Sequence, residues 1–233
     1  INIERLDELA TAIRQDTIGK ISLGVIPTFS VTVLPRILGK IQGKATKTHT
    51  VIHTRNTPGI VDAIQLQQFD LGIVSRSPPY EGVHILYHTS VNYVALIPSG
   101  HELAASTGEI DLDRVATQHE FVTFGNVYPL EMQGMEEQLS EQLQQNARYS
   151  VANVLTASSL VRETGIPAIV DPFSARMTLD QGGVVIRPLH QNLRYHIAII
   201  TRGVETMTQE TRQLAEALIT GFEADPIISA VAN

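Results

Sequence analysis

Two hydroxyl side chains flank an aromatic residue at the end of the first apolar segment. Thr28, Phe29 and Ser30 follow the alternating apolar residues of 21–25, and apolar residues at helical spacing occupy 31–42. The first N–H groups of a helix are unpaired and carry partial positive charge, so they stabilise an anion such as a carboxylate. The turn is therefore predicted to form one wall of a ligand cleft, where the Thr28 hydroxyl and the N–H groups of Phe29 and Ser30 could hold a carboxylate. N-capping is the alternative role of the two hydroxyls.

An equivalent turn follows the second alternating segment at 48–54. It carries Asn56 and Thr57 before a predicted helix at 60–68. Ligand contact and plain turn chemistry both fit these two residues, because Asn-Thr-Pro-Gly favours a turn by itself.

Three further positions lie where strands are predicted to end in the second half of the chain. Phe124 and Gly125 close a strand at 121–125, where Gly125 could offer an N–H group and Phe124 fits the core better than the cleft. Asn153 and Thr156 flank the next junction of strand and helix, where Thr156 is either an N-cap or a ligand contact.

Asp171 ends the apolar segment 166–170 and immediately precedes Pro172. An acidic residue before proline is a common N-cap of a helix. Its carboxylate could instead pair with the amino group of a ligand, and both roles remain open.

No catalytic or metal-binding motif accompanies these residues. His49 and His53, like His84 and His88, have the spacing of four that suits a metal site on a helix, but both pairs fall on predicted strands. Neither a Gly-x-Ser-x-Gly elbow nor a glycine-rich phosphate loop occurs. We expect no enzymatic activity and no cofactor; an enzyme that uses Asp171 with a histidine is the alternative.

The elements that must position these residues alternate between strand and helix. The three apolar segments 21–25, 48–54 and 69–74, separated by two helices, predict a βαβαβ unit that binds ligands beyond the carboxyl ends of its strands. The same alternation recurs later in the chain. We therefore predict lobe I at 19–96 and 199–225, and lobe II at 97–198.

The composition excludes several other classes of protein. The chain has 233 residues, a net charge of −7 and no cysteine, so a disulfide framework, a thiolate site and a basic nucleic-acid surface are not expected. Its apolar runs are too short to span a membrane, and no secretory leader is visible. Residues 1–18 have the pattern of an amphipathic helix, which either packs on its own domain or is a linker and dimerisation helix.

Four blocks of sequence carry a family resemblance. They are Gly19-Lys20-Ile21-Ser22-Leu23-Gly24 with Pro27-Thr28 and Leu34-Pro35; Phe69-Asp70-Leu71-Gly72-Ile73-Val74; Leu96-Ile97-Pro98-Ser99-Gly100-His101-Glu102-Leu103; and Ala157-Ser158-Ser159-Leu160-Val161-Arg162-Glu163-Thr164-Gly165-Ile166-Pro167-Ala168-Ile169-Val170. Their order resembles the effector-binding domain of LysR-type transcriptional regulators. The proline at 167 departs from the glycine-rich run common in that family. The combination of Pro27-Thr28-Phe29-Ser30 with 161–163 and 170–172 resembles the branch of the lysine-biosynthesis and octopine or nopaline regulators.

The resemblance implies an α/β fold of two Rossmann-like lobes joined by two crossing strands, as in type 2 periplasmic binding proteins. It places a ligand-binding hydroxyl at Thr28 and a partner for an ammonium group at Asp171, with an amino acid or a derivative as effector. It also implies a cytoplasmic homodimer or homotetramer that binds DNA through an N-terminal winged helix-turn-helix domain absent from this chain, with 1–18 ending the linker helix. A periplasmic-type solute-binding protein for an amino acid or opine is the alternative.

Overall fold

The computed structural model describes residues 19–42, 48–75, 79–124 and 135–230. The strands in these ranges are β1 (Lys20–Val25), β2 (His49–Thr54), β3 (Leu71–Val74), β4 (His84–Asn92), β5 (Val94–Pro98), β6 (Phe121–Phe124), β7 (Ala147–Val151), β8 (Ala168–Val170), β9 (Val184–Pro188) and β10 (Arg194–Thr201). The α-helices are α1 (Pro27–Val31), α2 (Val33–Ile41), α3 (Thr57–Gln65), α4 (Leu112–Val115), α5 (Glu137–Gln145), α6 (Val154–Thr164), α7 (Pro172–Asp180), α8 (Gln209–Glu223) and α9 (Pro226–Ser229). Short 3-10 turns lie at Glu102–Ala105 and Val204–Thr206.

The strands form two five-stranded sheets with the same plan. The first has the order β2-β1-β3-β10-β4 and the second the order β7-β6-β8-β5-β9. In each sheet three strands are parallel, and the two remaining strands pair antiparallel. The predicted fold class, two α/β lobes of the type 2 periplasmic-binding-protein kind, is confirmed.

The chain crosses between the lobes twice. It leaves the first sheet at the end of β4 and enters the second with β5 after Tyr93, and it returns between Pro188 and Arg194. Both crossings come a few residues before the predicted boundaries at 96 and 199. His88, Thr89, Ser90 and Asn92 interrupt the apolar pattern inside β4 itself, so the interruption does not mark the residue at which the chain changes sheet.

A continuous apolar core fills both lobes and the contact between them. Glycine permits close packing of the first sheet against α3, because a Cβ atom at Gly72 would lie 2.7 Å from Ile60. Residues from both lobes, such as Leu23 and Leu96, have no exposed surface. The lobes are therefore packed against each other and are not independent bodies.

The segment predicted as a turn and one helix is two helices. Pro27 begins α1, since its fixed φ suits the first helical position, and Thr32 separates α1 from α2 with φ −101° and ψ −74°. Thr28 and Ser30 thus lie inside α1, and the predicted helix at 31–42 starts at Val33 instead. Neither hydroxyl is an N-cap, because Ile26 occupies that position without a side-chain bond.

The apolar pattern alone predicts a strand at 83–87, a strand at 150–154 and a frayed tail from 225. In the structure β4 extends to Asn92, β7 lies at Ala147–Val151, and α9 occupies part of the tail. The predicted helix at 1–18 lies outside the described residues. Within the described ranges, no helix combines the length and apolar character needed to cross a membrane.

Candidate functional site

Asp171 is the N-cap of α7 and has no exposed surface. One carboxylate oxygen accepts the N–H groups of Phe173 and Ser174 at 2.9 and 2.8 Å. The other oxygen accepts the Ser174 hydroxyl at 2.8 Å. The N-cap role considered for Asp171 is therefore confirmed. Pairing of the Asp171 carboxylate with an ammonium group of a ligand stays a prediction. Because the carboxylate is fully buried, a ligand reaches it only when the surrounding residues move.

A line of hydroxyl groups runs from Asp171 across the lobe boundary. The Ser174 oxygen lies 3.5 Å from the Thr28 hydroxyl, at the outer limit of hydrogen bonding. The hydroxyl of Tyr195, on β10, is hydrogen-bonded to the side chains of Thr28 and Ser75. We call these five residues, Thr28, Ser75, Asp171, Ser174 and Tyr195, the interlobe line.

Thr57 extends the line within lobe I. Its hydroxyl donates to the carbonyl oxygen of Ser75 at 3.2 Å and accepts the Ser75 N–H at 3.3 Å. Thr57 begins α3 three residues after the end of β2, and Ser75 directly follows β3. The residues that follow β1, β2 and β3 are thus connected to the residue that follows β8, so the line joins the carboxyl ends of strands from both sheets.

Aromatic rings surround the interlobe line. Phe29 packs edge to face on Phe173 of lobe II and on Phe222 of α8, with ring centroids 5.3 Å apart in both pairs. Tyr195 makes the same type of contact with Tyr93 at 5.2 Å. Edge-to-face pairs add about 0.5–1.5 kcal/mol each beyond the burial of their area. Phe29, predicted as a ligand contact, has no exposed surface and is a core residue of the lobe boundary.

Burial controls the protonation of the site. Desolvation raises the pKa of Asp171 to about 6, although the hydrogen bonds from Ser174 and Phe173 oppose the rise. Desolvation also raises the pKa of Tyr93 and Tyr195 above the ordinary tyrosine value, and the charge of Asp171 adds to both shifts. Both tyrosines are neutral hydrogen-bonding groups at neutral pH.

The remaining predicted residues of lobe I have local partners. Asn56 caps α3 by accepting the Gly59 N–H at 3.0 Å, which confirms the turn role. The Ser30 hydroxyl donates to the Pro27 carbonyl at 2.7 Å, and its N–H donates to Ile26. The Ser30 N–H was predicted to hold a carboxylate, but the helix of which it is part already uses it.

In lobe II, Asn153 and not Thr156 is the N-cap of α6. The amide oxygen of Asn153 accepts the N–H and the hydroxyl of Thr156 at 3.0 and 3.1 Å. Asn153 and Thr156 bond to each other, but neither has a described bond to the interlobe line. Gly125 lies outside the described residues, as does the side chain of Phe124, and their predicted roles concern parts that the structure does not describe.

The histidines considered as metal pairs lie on strands, as predicted: His49 and His53 on β2, His84 and His88 on β4. Among the residues that the structure describes, no group of three or more His, Cys, Asp or Glu side chains could hold a metal ion. The partners of Asp171 are backbone N–H groups and a serine, which is the environment of a hydrogen-bond acceptor.

Sequence reasoning missed Tyr195, Ser75 and Ser174. Only Ser174 has a local signal, because a hydroxyl three residues after an N-cap can bond back to it. Tyr195 lies on β10 in the same alternation as the apolar Ile197 and Ile199, where its ring alone accounts for its type. The interlobe line presents neutral hydroxyl groups and, at its lobe II end, one carboxylate. It lies at the edge where open α/β sheets bind small molecules.

Comparisons with known proteins agree with this architecture. The family model described as "LysR substrate binding domain" matches residues 14–223. A cysteine-to-serine mutant of the OxyR2 regulatory domain from Vibrio vulnificus superposes with a TM-score of 0.70 at 18% identity, over 88% of this chain and 97% of that one. The effector-binding domain of QuiR in complex with shikimate gives 0.68 at 18% identity, over 87% and 96% of the two chains.

The C-terminal domain of a probable LysR family regulator from Rhodococcus sp. RHA1 gives a TM-score of 0.70 at 15% identity, over 86% of this chain and 98% of that one. No curated protein sequence matches the chain. At these identities the solved structures show a common fold, whereas the family model covers most of the chain. The chain belongs to the family of LysR substrate-binding domains.

Proposed function

We propose that this chain is the sensing domain of a bacterial LysR-type transcriptional regulator and that an amino-acid-like effector binds between its lobes. The observation that carries the proposal is the interlobe line. It connects Thr28 and Tyr195 of lobe I to Ser174 and Asp171 of lobe II, at the edge formed by the carboxyl ends of β1, β3 and β8. A ligand that bonds to both ends of this line changes the relative free energy of the lobe arrangements, which is the requirement for a sensor.

The longest contact of the interlobe line is the place where we propose that the ligand binds. The Thr28 and Ser174 oxygens are 3.5 Å apart, whereas the bonds from Ser174 to Asp171 are 2.8 Å long. The Oδ2 atom of Asp171 accepts one described hydrogen bond, from the Ser174 hydroxyl, and a carboxylate oxygen has room for a second. An ammonium group placed there would neutralise a buried charge, while the Thr28 hydroxyl would bond to the carboxylate of the same ligand.

The relatives support a small polar effector. LysR-type regulators bind small-molecule effectors and act as oligomers on DNA, and the QuiR domain was solved with shikimate. For this chain we propose contacts to Thr28, Thr57 and Asp171, with Asn56, Asn153 and Thr156 at the ends of α3 and α6 as outer contacts. The family match favours a regulator over a solute-binding protein, which would share the two-lobed plan.

The proposal extends to parts of the protein beyond the described residues. A winged helix-turn-helix domain would precede this chain, and residues 1–18 would end the linker helix through which subunits pair. A homodimer or homotetramer in the cytoplasm would then convert lobe movement into a change of spacing between its DNA-binding domains.

A thermal-shift screen tests the proposal. The panel contains amino acids, opines, diamino acids and, as a comparison without an amino group, shikimate. A ligand at 100 times its dissociation constant stabilises the folded state by about 2.7 kcal/mol, which raises the Tm by roughly 5–10 °C. Stabilisation by hydroxy acids and never by amino compounds would contradict the amino-acid effector and retain the sensor. A Tm unchanged across the panel and across wider metabolite mixtures would contradict both.

A further inference from the structure

The two strands that lead into the lobe crossings carry a second set of polar contacts, away from the interlobe line. β4 and β10 pair antiparallel over their length, and the chain crosses next to this pair at Tyr93. We call the paired strands and this crossing the joint. A change in the angle between the lobes affects the joint, because the described part of the chain passes from one sheet to the other before β5 and after β9 and nowhere else.

A pair of histidines links the two strands of the joint. His88 Nε2 and His196 Nδ1 are 3.0 Å apart, and the ring planes differ by only 8°. The ring centroids are 5.2 Å apart, so the two imidazoles lie nearly edge to edge in one plane with an N–H···N bond between them. Such a bond contains one proton: one nitrogen donates and the other must be neutral to accept.

Arg194 places a permanent positive charge on the same face of the joint. Its guanidinium donates to the Ser90 hydroxyl and carbonyl and, at 2.7 Å, to the Asn92 side chain. These bonds hold β10 to the end of β4 next to the crossing. The position of Arg194 is therefore fixed, and the charge cannot move away when the neighbouring histidines take up protons.

The groups that face the pair oppose a second proton on balance. Burial, His88 and Arg194 all lower the pKa of His196, which is 8% exposed. Glu223 of α8 lies across a depression shared with His88 and Arg194 and acts in the opposite direction, but its side chain faces solvent. Tyr87 of β4 is uncharged at these pH values, and burial raises its pKa further. α9 contributes the uncharged Ile228 and Ser229, and β3 has no titratable group.

We propose that the His88–His196 pair makes the joint sensitive to protons: one shared proton adds a side-chain bond between β4 and β10, and uptake of a second breaks that bond and weakens the joint. The second proton removes the acceptor nitrogen and leaves two imidazolium rings beside Arg194. At mildly acidic pH the protein would therefore change more readily from one lobe arrangement to another. This regulation is independent of which effector binds, because the pair lies outside the interlobe line.

Hydrogen exchange and a lobe-to-lobe distance together test the proposal. The sequence contains no cysteine, so Glu141→Cys on α5 and Glu216→Cys on α8 allow one spin label in each lobe. Exchange of the amides of β4 and β10, corrected for intrinsic rates, is measured at about pH 7.5 and 5.5, on either side of the ordinary histidine pKa of about 6.5. We expect protection at the joint to fall roughly tenfold at the lower pH, with a broader distance distribution.

Variants separate this pair from other titrating groups. His88→Gln retains a hydrogen-bonding side chain without a titratable ring and should abolish the pH effect; His196→Gln should do the same if the first variant folds poorly. His84→Gln, on the same strand but paired with Thr201 beyond the register shift, should leave the effect intact. The pKa of the Asp171 carboxyl is also about 6, so this group is a second candidate for the pH effect. If the histidine pair is responsible, the effect should persist in Asp171→Asn. Equal protection at the two pH values in the wild type, or an unchanged response in His88→Gln, would overturn the proposal.

Discussion

At Asp171 the cost of burial and the gain from hydrogen bonds oppose each other. Three donors surround a carboxylate without exposed surface, yet its pKa is raised to about 6 because desolvation outweighs them. At neutral pH the folded protein thus contains a buried negative charge in an environment that favours its neutral form. A cationic effector group would remove this cost, which is the physical reason for assigning the ammonium to this residue.

Asp171→Asn tests that description through the pH dependence of stability. A pKa raised from 3.8 to about 6 gives stability that is complete below pH 3.8 and is lost as the pH rises through 6. The shift corresponds to roughly 3 kcal/mol. We expect the free energy of unfolding of the wild type to fall relative to that of the variant between pH 4 and 6.5, measured by urea denaturation. The amide remains a good N-cap, so the helix end is preserved.

Asp180→Asn, at the exposed end of the same helix, controls for the removal of one negative charge. A constant difference between wild type and Asp171→Asn over this pH range would contradict the raised pKa.

Tyr195→Phe tests the hydrogen bonds of the line without removing the ring. The hydroxyls of Thr28 and Ser75 lose a partner, and leaving buried polar groups unpaired costs about 1–3 kcal/mol. Tyr149→Phe on β7 removes a hydroxyl from a side chain that is 40% exposed and should change stability by less than about 0.5 kcal/mol. Equal unfolding free energies for the two variants would show that the Tyr195 bonds contribute nothing.

Residue-level prediction from the sequence was correct where the signal is local. Asp171 before Pro172 and Asn56 before Thr57 indicate helix ends, and both are N-caps. The partner of Thr28 could not be predicted, since Ser174 lies 146 positions away and meets it only when the lobes pack. Likewise, the apolar pattern of β10 predicts that the ring of Tyr195 is buried but does not predict the partners of its hydroxyl.

At the scale of elements, α2 and α8 show how glycine sets a helix contact. A Cβ atom at Gly221 would lie 2.5 Å from the side chain of Ile37, whereas at Gly39 it would have no neighbour within 4 Å. Gly221 is therefore required by the close approach of the two helices, and Gly39 is not.

Gly221→Ala and Gly39→Ala make a matched pair of predictions. The first should destabilise the protein by about 1–3 kcal/mol through overpacking. The second should stabilise it by about 0.4–1 kcal/mol, because alanine lowers the entropy of the unfolded chain and favours helix. Thermal unfolding of both variants measures the difference. A stabilised Gly221→Ala would show that α2 and α8 pack less closely than described.

Element types were more predictable than element limits. Apolar periodicity identified the strands of both sheets and the main helices, whereas α1 was mistaken for a turn because five residues are too few to show a helical period. β4 was predicted to end near Tyr87 but continues to Asn92, since its later polar residues, Ser90 and Asn92, bond to Arg194 instead of forming a turn.

At the scale of the whole molecule, the repeated alternation of strand and helix was sufficient to predict two lobes. It was not sufficient to locate the crossings, which depend on pairing between distant strands such as β5 with β8. The packing of Phe29 on Phe173 was also inaccessible from sequence, although it holds the lobes together beside the interlobe line. Effector sensing depends on this boundary between the lobes, because a bound ligand must either break contacts between the lobes or add new ones.

Calorimetric titration of Thr28→Val with the best ligand of the thermal-shift screen tests the central claim most directly. Valine keeps the shape of threonine and removes the hydroxyl, and a hydrogen bond to a charged ligand group contributes about 1.5–3 kcal/mol. We predict that the variant binds the ligand roughly 10- to 150-fold more weakly than the wild type. Thr32→Val removes a hydroxyl that donates to the Thr28 carbonyl within the helix, and this variant should bind the ligand as the wild type does. Unchanged affinity in Thr28→Val would contradict an effector site between the lobes at the interlobe line.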